Sequence, residues 1–196
     1  MTRILFKLSF LTLFVYAALP ASAQRRYFDM IITVNGDSIK CSIDPEPLSG
    51  PVKYQTPDMK KPEPISSKYI KEYFASGFTV DRKVVYVDSS KTPEFMRVLE
   101  KGKLSLYQII VSSSNGTSAK AWYAGKGNSD QVISVKEPGL YIGIGKSRAE
   151  RKNNFGEMLK DNPGVYNKYI TEKKFSYKQL RNLVHLYNTG QEFKEE

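Results

Sequence analysis

The apolar residues of this 196-residue chain change their spacing at Ser147. Before that point, apolar and polar residues alternate in short runs separated by turn residues, which is the pattern of half-buried β-strands. After it, apolar residues recur every three or four positions, as they do in amphipathic helices. The sequence therefore predicts an α+β domain in which an antiparallel sheet of about seven to nine strands, mostly in hairpins, precedes two or three helices that pack on it. The predicted domain spans residues 24–196, with a β-rich part at 24–145 and a helical part at 146–196.

Turn signals place three hairpins in the β-rich part. The clearest lies in "ITVNGDSIKCSI", at 32–43, where Asn35 and Gly36 separate two alternating runs and both tolerate positive φ. A second hairpin is predicted to turn at residues 101–102, inside "EFMRVLEKGKLSLYQII". The third is predicted to turn within "GNSD", at 127–130.

Proline limits the regular structure between the first and second hairpins. Six prolines lie within residues 45–64, so only a short strand near "VKYQ", at 52–55, is predicted in that stretch. Strands are also predicted at "KEYFAS" and "RKVVYVD", the second of which is apolar on both faces and suits a central position. The last predicted strand is "LYIGI", at 140–144.

Two helices of the helical part are predicted to begin with capping boxes. Ser147 and Ser176 are the predicted N-caps, and Glu150 and Gln179 follow three residues later, where their side chains can reach back to the cap. The apolar stripes after the boxes are Phe155, Met158 and Leu159 in one helix and Leu180, Leu183, Val184 and Tyr187 in the other. A short further helix is predicted at "VYNKYI".

Cys41 is the single cysteine of the chain, and it is predicted to be structural. It lies between Ile39 and Ile43 on the inward face of the second strand, as a small buried hydrophobe would. The alternative is a nucleophilic thiol, but activation requires a base or a positive field beside it, and the one histidine, His185, is far along the chain. One cysteine and one histidine also exclude an internal disulfide and a Cys/His zinc site.

The N-terminal residues predict export. Arg3 and Lys7 precede an apolar run at 8–19, which is followed by "ASA" ending at Ala23. This is the arrangement of a secretory signal peptide at 1–23 that is cleaved after Ala23, and the run is too short to span a bilayer. The mature chain is therefore expected to have no transmembrane segment and to be periplasmic or secreted.

Four segments of the chain resemble a group of exported Bacteroidota proteins. The segments are "IITVNGDSIKCSI", "EFMRVLEKGKLSLYQ" and the pair "MLKDNPGVYNKY" and "YKQLRNLVHLYN". The group pairs an "NGDTI"-type hairpin with a helical tail. The resemblance implies a cell-envelope location and assigns no catalytic residue.

Several enzyme classes lack their motifs in this sequence. "GIGKS", at 143–147, has no glycine four residues before its Gly-Lys pair, and no serine lies in a "GxSxG" elbow, so neither nucleotide binding nor a catalytic triad is predicted. No cofactor and no metal are predicted. His185 projects away from the apolar stripe of its helix and is predicted to be solvated. Paired carboxylates, as in a glycosidase, stay open as an alternative. The acidic residues placed near strand ends are Glu72, Asp81, Asp88 and Glu94.

Positive charge is concentrated in the helical part. Residues 146–181 hold ten basic and four acidic residues, in a chain of net charge +10. A solvated helix surface would explain this pattern, and contact with an anionic envelope polymer or lipid headgroup would also explain it. The predicted contacts are Lys173, Lys174, Lys178 and Arg181. Nucleic acid suits the charge but not the compartment.

The sequence thus favours a non-catalytic, exported binding module of the cell envelope. The alternative is an envelope hydrolase that uses paired carboxylates. The identity of the ligand and the oligomeric state are not predicted.

Overall fold

The computed structural model describes residues 27–45, 50–78, 80–112, 116–138, 146–172 and 176–193. The strands are β1 Asp29–Thr33, β2 Ser38–Asp44, β3 Lys53–Gln55, β4 Glu63–Pro64, β5 Ile70–Ala75, β6 Val80–Val87, β7 Pro93–Glu100, β8 Leu104–Ser112, β9 Ser118–Lys126 and β10 Gln131–Lys136. A short 3₁₀ turn, Ser76–Phe78, separates β5 from β6. The helices are α1 Arg148–Leu159, α2 Pro163–Thr171 and α3 Tyr177–Thr189.

The predicted α+β class is confirmed. The three hairpins form between β1 and β2, β7 and β8, and β9 and β10, all of them antiparallel. The described residues contain ten strands rather than about seven to nine. The excess comes from the proline-rich stretch, where β3 and β4 make a hairpin of only three and two residues. The strand predicted at 140–144 lies outside the described residues.

Strands β6 to β10 close into a five-stranded ring. Each pairs with the next along the chain, and β10 also pairs with β6 in parallel, through Gln131 with Tyr86 and Val132 with Val87. The amide of Tyr86 donates to the Asp130 carbonyl at 2.8 Å, which fixes this closure. The first half of β6 pairs instead with β5, from which β1, β2, β3 and β4 extend as an open sheet.

Every strand of the ring contributes a buried side chain to its interior. The interior cluster consists of Val85, Met96, Tyr107, Ala121, Tyr123 and Val132. Neighbouring residues point outward, and on β6 both Val84 and Val85 are buried. The prediction of a central strand apolar on both faces is therefore confirmed for β6.

The helices cover the outer face of β8 and β9. Leu106 and Trp122 of these strands pack in one cluster with Phe155, Leu159 and Leu183 of the helices. Both predicted capping boxes are present, with reciprocal hydrogen bonds between Ser147 and Glu150 and between Ser176 and Gln179. The predicted stripes face the sheet, although Met158 is only partly buried.

Helix α3 also fixes the turn between β7 and β8. The Asn188 side chain accepts from the Leu104 amide at 2.9 Å and donates to the Leu104 carbonyl at 2.7 Å. A Cβ atom at Gly102 would lie 2.5 Å from Cγ of Asn188, so this close approach requires glycine. The turn that carries Lys101 is thereby held in place.

Cys41 lies in a second cluster, on the open sheet, with Ile31, Ile43 and Tyr73. Its predicted inward position and that of Ile43 are confirmed, whereas Ile39, next to the loop, is exposed. In the hairpin loop, Gly36 has a φ of 93° and Asn35 does not have positive φ, so one residue rather than two provides the left-handed conformation.

The Cys41 thiol is expected to resist alkylation in the native protein at pH 8. Burial, with the nearby Asp29 carboxylate, raises the pKa of this thiol to about 12, so almost none of it is thiolate. Iodoacetamide labelling followed by intact mass checks this, with the chain in urea as the reactive control. Rapid labelling of the folded protein would contradict the inward position of Cys41.

Candidate functional site

The four basic residues that the sequence singles out do not form one group. Lys173 and Lys174 lie outside the described residues, and Lys178 is exposed. The Arg181 Nε atom donates to Oε1 of Glu100 at 2.7 Å, and its guanidinium stacks 4.2 Å from the Phe193 ring centroid. Arg181 therefore belongs to an intramolecular ion pair that joins α3 to the end of β7.

His185 takes part in the same contact. Its Nδ1 atom is 3.3 Å from Oε2 of Glu100, its ring meets Phe193 edge to face, and its side chain is 28% exposed. The prediction that His185 is solvated is wrong. Helix α3 lies against the β7–β8 hairpin, so the polar residues beside its apolar stripe face Glu100.

Other basic residues of the helical part are also paired with carboxylates. Lys146 contacts Asp88, and Arg151 lies 3.0 Å from Glu137. The remaining pairs are Lys160 with Glu157 and Lys168 with Glu192. Because Asp88, Glu137 and Glu192 come from outside residues 146–181, the basic stretch of the sequence is not a continuous basic surface.

Positive charge does gather around one aromatic ring, that of Tyr177. We call this region the Tyr177 patch, and it comprises Lys120, Lys136, Arg148, Tyr177 and Lys178. Tyr177 packs on Trp122 with ring centroids 4.7 Å apart, and its hydroxyl donates to the Lys120 carbonyl. The Lys136 ammonium lies 4.5 Å from the centroid of the Tyr177 ring. The first residue of α3 is therefore fixed on the sheet, with the Lys136 ammonium beside its ring.

The strand register explains this arrangement. Lys136 of β10 pairs with Trp122 of β9, and Lys120 precedes Trp122 by two residues, so the two lysines flank the tryptophan on the outer face. The indole N–H of Trp122 donates to Oε1 of Gln108 at 3.2 Å, which fixes the ring. Sequence analysis missed Lys120 and Lys136 because they belong to the β-rich part. The alternating "KAW" segment was the available signal.

Two pKa shifts describe the electrostatics of the patch. Burial lowers the pKa of Lys136, and the positive charge of Arg148 lowers it further. Burial also raises the pKa of Tyr177. Arg148 and Tyr177 are the first residues of α1 and α3, whose N-termini carry partial positive charge. The Lys136 ammonium and the Arg148 guanidinium therefore act on each other beside the Tyr177 ring, and an anion would relieve their repulsion.

The acidic residues considered for hydrolysis divide between the two ends of the ring. Glu72 and Asp81 meet at the Lys101 ammonium. Asp88 is bound to Lys146, and Glu94 lines a cavity of about 380 Å³ at the opposite end. A glycosidase needs two carboxyl groups that flank the scissile bond. One lysine contacts both Glu72 and Asp81, an arrangement that favours an electrostatic role for this pair.

Within the described part of the chain, no three His, Cys, Asp or Glu side chains are grouped so that they could hold a metal ion. No helix in these segments is both long and apolar enough to cross a membrane. Comparison with protein-family models, curated proteins and solved structures found no match to this chain. The functional proposal therefore depends on the chain's own residues.

Proposed function

We propose that the protein is an exported, non-catalytic binding module of the cell envelope and that its Tyr177 patch binds an anionic polysaccharide. The observation that carries the proposal is the placement of the Lys136 ammonium beside the Tyr177 ring. The positive charge of Arg148 acts on that ammonium. A half-buried aromatic ring with a cation beside it offers an apolar edge to a sugar ring and positive charge to the acidic groups of a sugar polymer. Export is inferred from the signal-peptide pattern at 1–23.

Of the four residues that the sequence predicts to contact an anionic partner, Lys178 is the one included in this patch. Lys120, Lys136 and Arg148 take the place of Arg181, whose guanidinium pairs with Glu100 at the end of β7. A lipid headgroup would offer the same negative charge. Lipid binding is therefore the outcome that the experiment has to separate from polysaccharide binding.

Reversing three charges of the patch is expected to abolish binding. The test variant is Lys120→Glu, Arg148→Glu and Lys178→Glu, all at exposed positions. Removal of each charge near an anionic surface costs about 1 kcal/mol, so affinity for immobilised polygalacturonate should fall at least about a hundredfold at low salt. Binding by the parent protein should weaken steeply as salt is added.

A matched control carries the same change in net charge at the far end of the sheet. Lys53→Glu, Lys60→Glu and Lys61→Glu lie in or beside β3, at exposed positions. This control should bind polygalacturonate nearly as well as the parent. Equal losses in the two variants would show that net charge, not the Tyr177 patch, determines binding. Binding to phosphatidylglycerol vesicles without binding to polygalacturonate would replace the polysaccharide with a lipid headgroup.

A further inference from the structure

A cluster of charged side chains lies at one end of the ring, opposite the cavity lined by Glu94. We call it the ring-end cluster, and it comprises Glu72, Asp81, Lys83 and Lys101. Glu72 of β5 pairs directly with Lys83 of β6, and Asp81 precedes Lys83 by two residues, so the three side chains share one face. Lys101 reaches this face from the β7–β8 turn.

The two carboxylates share one ammonium. Nζ of Lys101 is 2.7 Å from Oε1 of Glu72 and 4.0 Å from Oδ2 of Asp81. The side chains of Glu72 and Asp81 are 15% and 29% exposed, whereas that of Lys101 is 64% exposed. Asp81 Oδ1 is buried and has no hydrogen-bond partner among the described residues. Lys101 therefore satisfies Glu72 well and Asp81 poorly.

Groups from the other neighbouring elements complete the surroundings. Lys83 donates to the Asn128 carbonyl in the β9–β10 turn at 3.4 Å, and Lys71 and Asp130 also act on its charge. Tyr107 faces the cluster from β8, and burial raises the pKa of its hydroxyl.

These surroundings raise the pKa of Asp81. Burial, followed by the Glu72 charge, raises the pKa of Asp81 to about 6, against the opposing effect of Lys101. The hydrogen bond to Glu72 raises the pKa of Lys101, so Lys101 stays charged throughout the acidic range. Burial lowers the pKa of Lys83.

We propose that the ring-end cluster is a proton switch, in which a proton taken up between Asp81 and Glu72 displaces the Lys101 ammonium under mildly acidic conditions. A protonated Asp81 gains an O–H that can donate to Glu72, and two like charges become one. The proton comes from solvent, and it weakens the attraction on the Lys101 ammonium because one of the two carboxylate charges that face it is neutralised. The exposed lysine then moves into water, where its charge is well solvated.

The sign of the linkage follows from the raised pKa. The folded protein binds a proton at Asp81 more tightly than the unfolded chain does, since the folded value of about 6 lies above the ordinary 3.8. The contribution of Asp81 to stability is therefore fully present below the unfolded pKa and is lost as pH rises through the folded pKa. Acidification, which weakens most proteins, strengthens this part of the fold.

Carboxyl NMR titration of the mature chain tests the switch. The Asp81 signal should titrate with a midpoint near 6, and the Lys101 side-chain signals should move with the same midpoint. Lys101→Met should raise the Asp81 midpoint because a positive neighbour is lost. Glu72→Gln should lower it because a negative neighbour is lost. Lys103→Met, in the same turn and exposed, is the control and should leave it unchanged.

Opposite shifts in the two variants are the result that supports the proposal. An Asp81 midpoint near 4 in the parent, or shifts of the same sign in both variants, would overturn it. Urea unfolding provides a second readout through Asp81→Asn. Stability of the parent relative to this variant should fall between about pH 4 and pH 7, from the unfolded pKa to just above the folded one, and parallel pH profiles would also overturn the proposal.

Discussion

Replacing Phe155 with alanine is expected to lower the free energy of unfolding by about 3–5 kcal/mol. Phe155 belongs to α1 and is fully buried. It packs in one cluster with Leu159 of the same helix and Trp122 on the outer face of β9. It also meets Tyr169 edge to face, with centroids 5.2 Å apart. The substitution removes this aromatic contact and leaves a cavity that the surrounding helices can close only in part. Urea denaturation followed by the fluorescence of Trp122, the single tryptophan, measures the loss.

Ile170 provides the matched control on the neighbouring helix. Its side chain is 48% exposed, so Ile170→Ala should cost less than about 1 kcal/mol. A Phe155→Ala loss no larger than that of Ile170→Ala would mean that the helices do not pack on the ring as described.

Local signals explain why so much of the fold is predictable. Gly36 alone allows the left-handed turn between β1 and β2, and alternation on β2 places Cys41 and Ile43 inward. In the helical part, the Ser147 and Ser176 caps mark the start of α1 and α3 within one residue. Each of these features depends on residues a few positions apart, which a sequence displays directly.

The closure of the ring has no such signal. It depends on the parallel pairing of two residues in β10 with Tyr86 and Val87 of β6, more than forty positions earlier. Parallel pairing gives no turn motif, and the contact is too short to show a periodicity of its own. The sequence therefore predicts hairpins but not the ring that they form.

The candidate site is less predictable from the sequence, because the partner of a charged side chain can lie far away along the chain. Residues 146–181 look basic when counted along the chain, but carboxylates from the β-rich part pair with three of these cations. Glu100 lies at the end of β7, and Asp88 and Glu137 directly follow β6 and β10. Their partners are Arg181, Lys146 and Arg151. The Tyr177 patch, in contrast, draws Lys120 and Lys136 from the sheet. Charge patterning in one segment could suggest an anionic partner but could not locate the contact.

Asp29 is a structural residue that no sequence motif marks, and Asp29→Ala is expected to lower the free energy of unfolding by about 3 kcal/mol. Its carboxylate accepts from the Ile43 amide at 2.7 Å and from the Ser76 amide and hydroxyl at 2.8 and 2.9 Å. It thereby joins β1 to the end of β2 and to the 3₁₀ turn that follows β5. Alanine would leave two partly buried amides without their acceptor, and each such loss costs about 1–3 kcal/mol. Chemical denaturation at neutral pH measures the total.

Amide hydrogen exchange separates this role from a general loss of stability. The amides of Ile43 and Ser76 should exchange faster in Asp29→Ala by more than the global destabilisation accounts for, because their own acceptor is gone. Asp29→Asn keeps one carbonyl oxygen, so it should lose about half as much stability and expose one amide rather than both. Asp37→Ala, in the exposed hairpin loop, is the control and should cost less than about 1 kcal/mol. Of these two aspartates, Asp29 is the one whose carboxylate accepts from the amides of Ile43 and Ser76. Equal effects of Asp29→Ala and Asp37→Ala would therefore show that the Asp29 carboxylate does not hold these segments together.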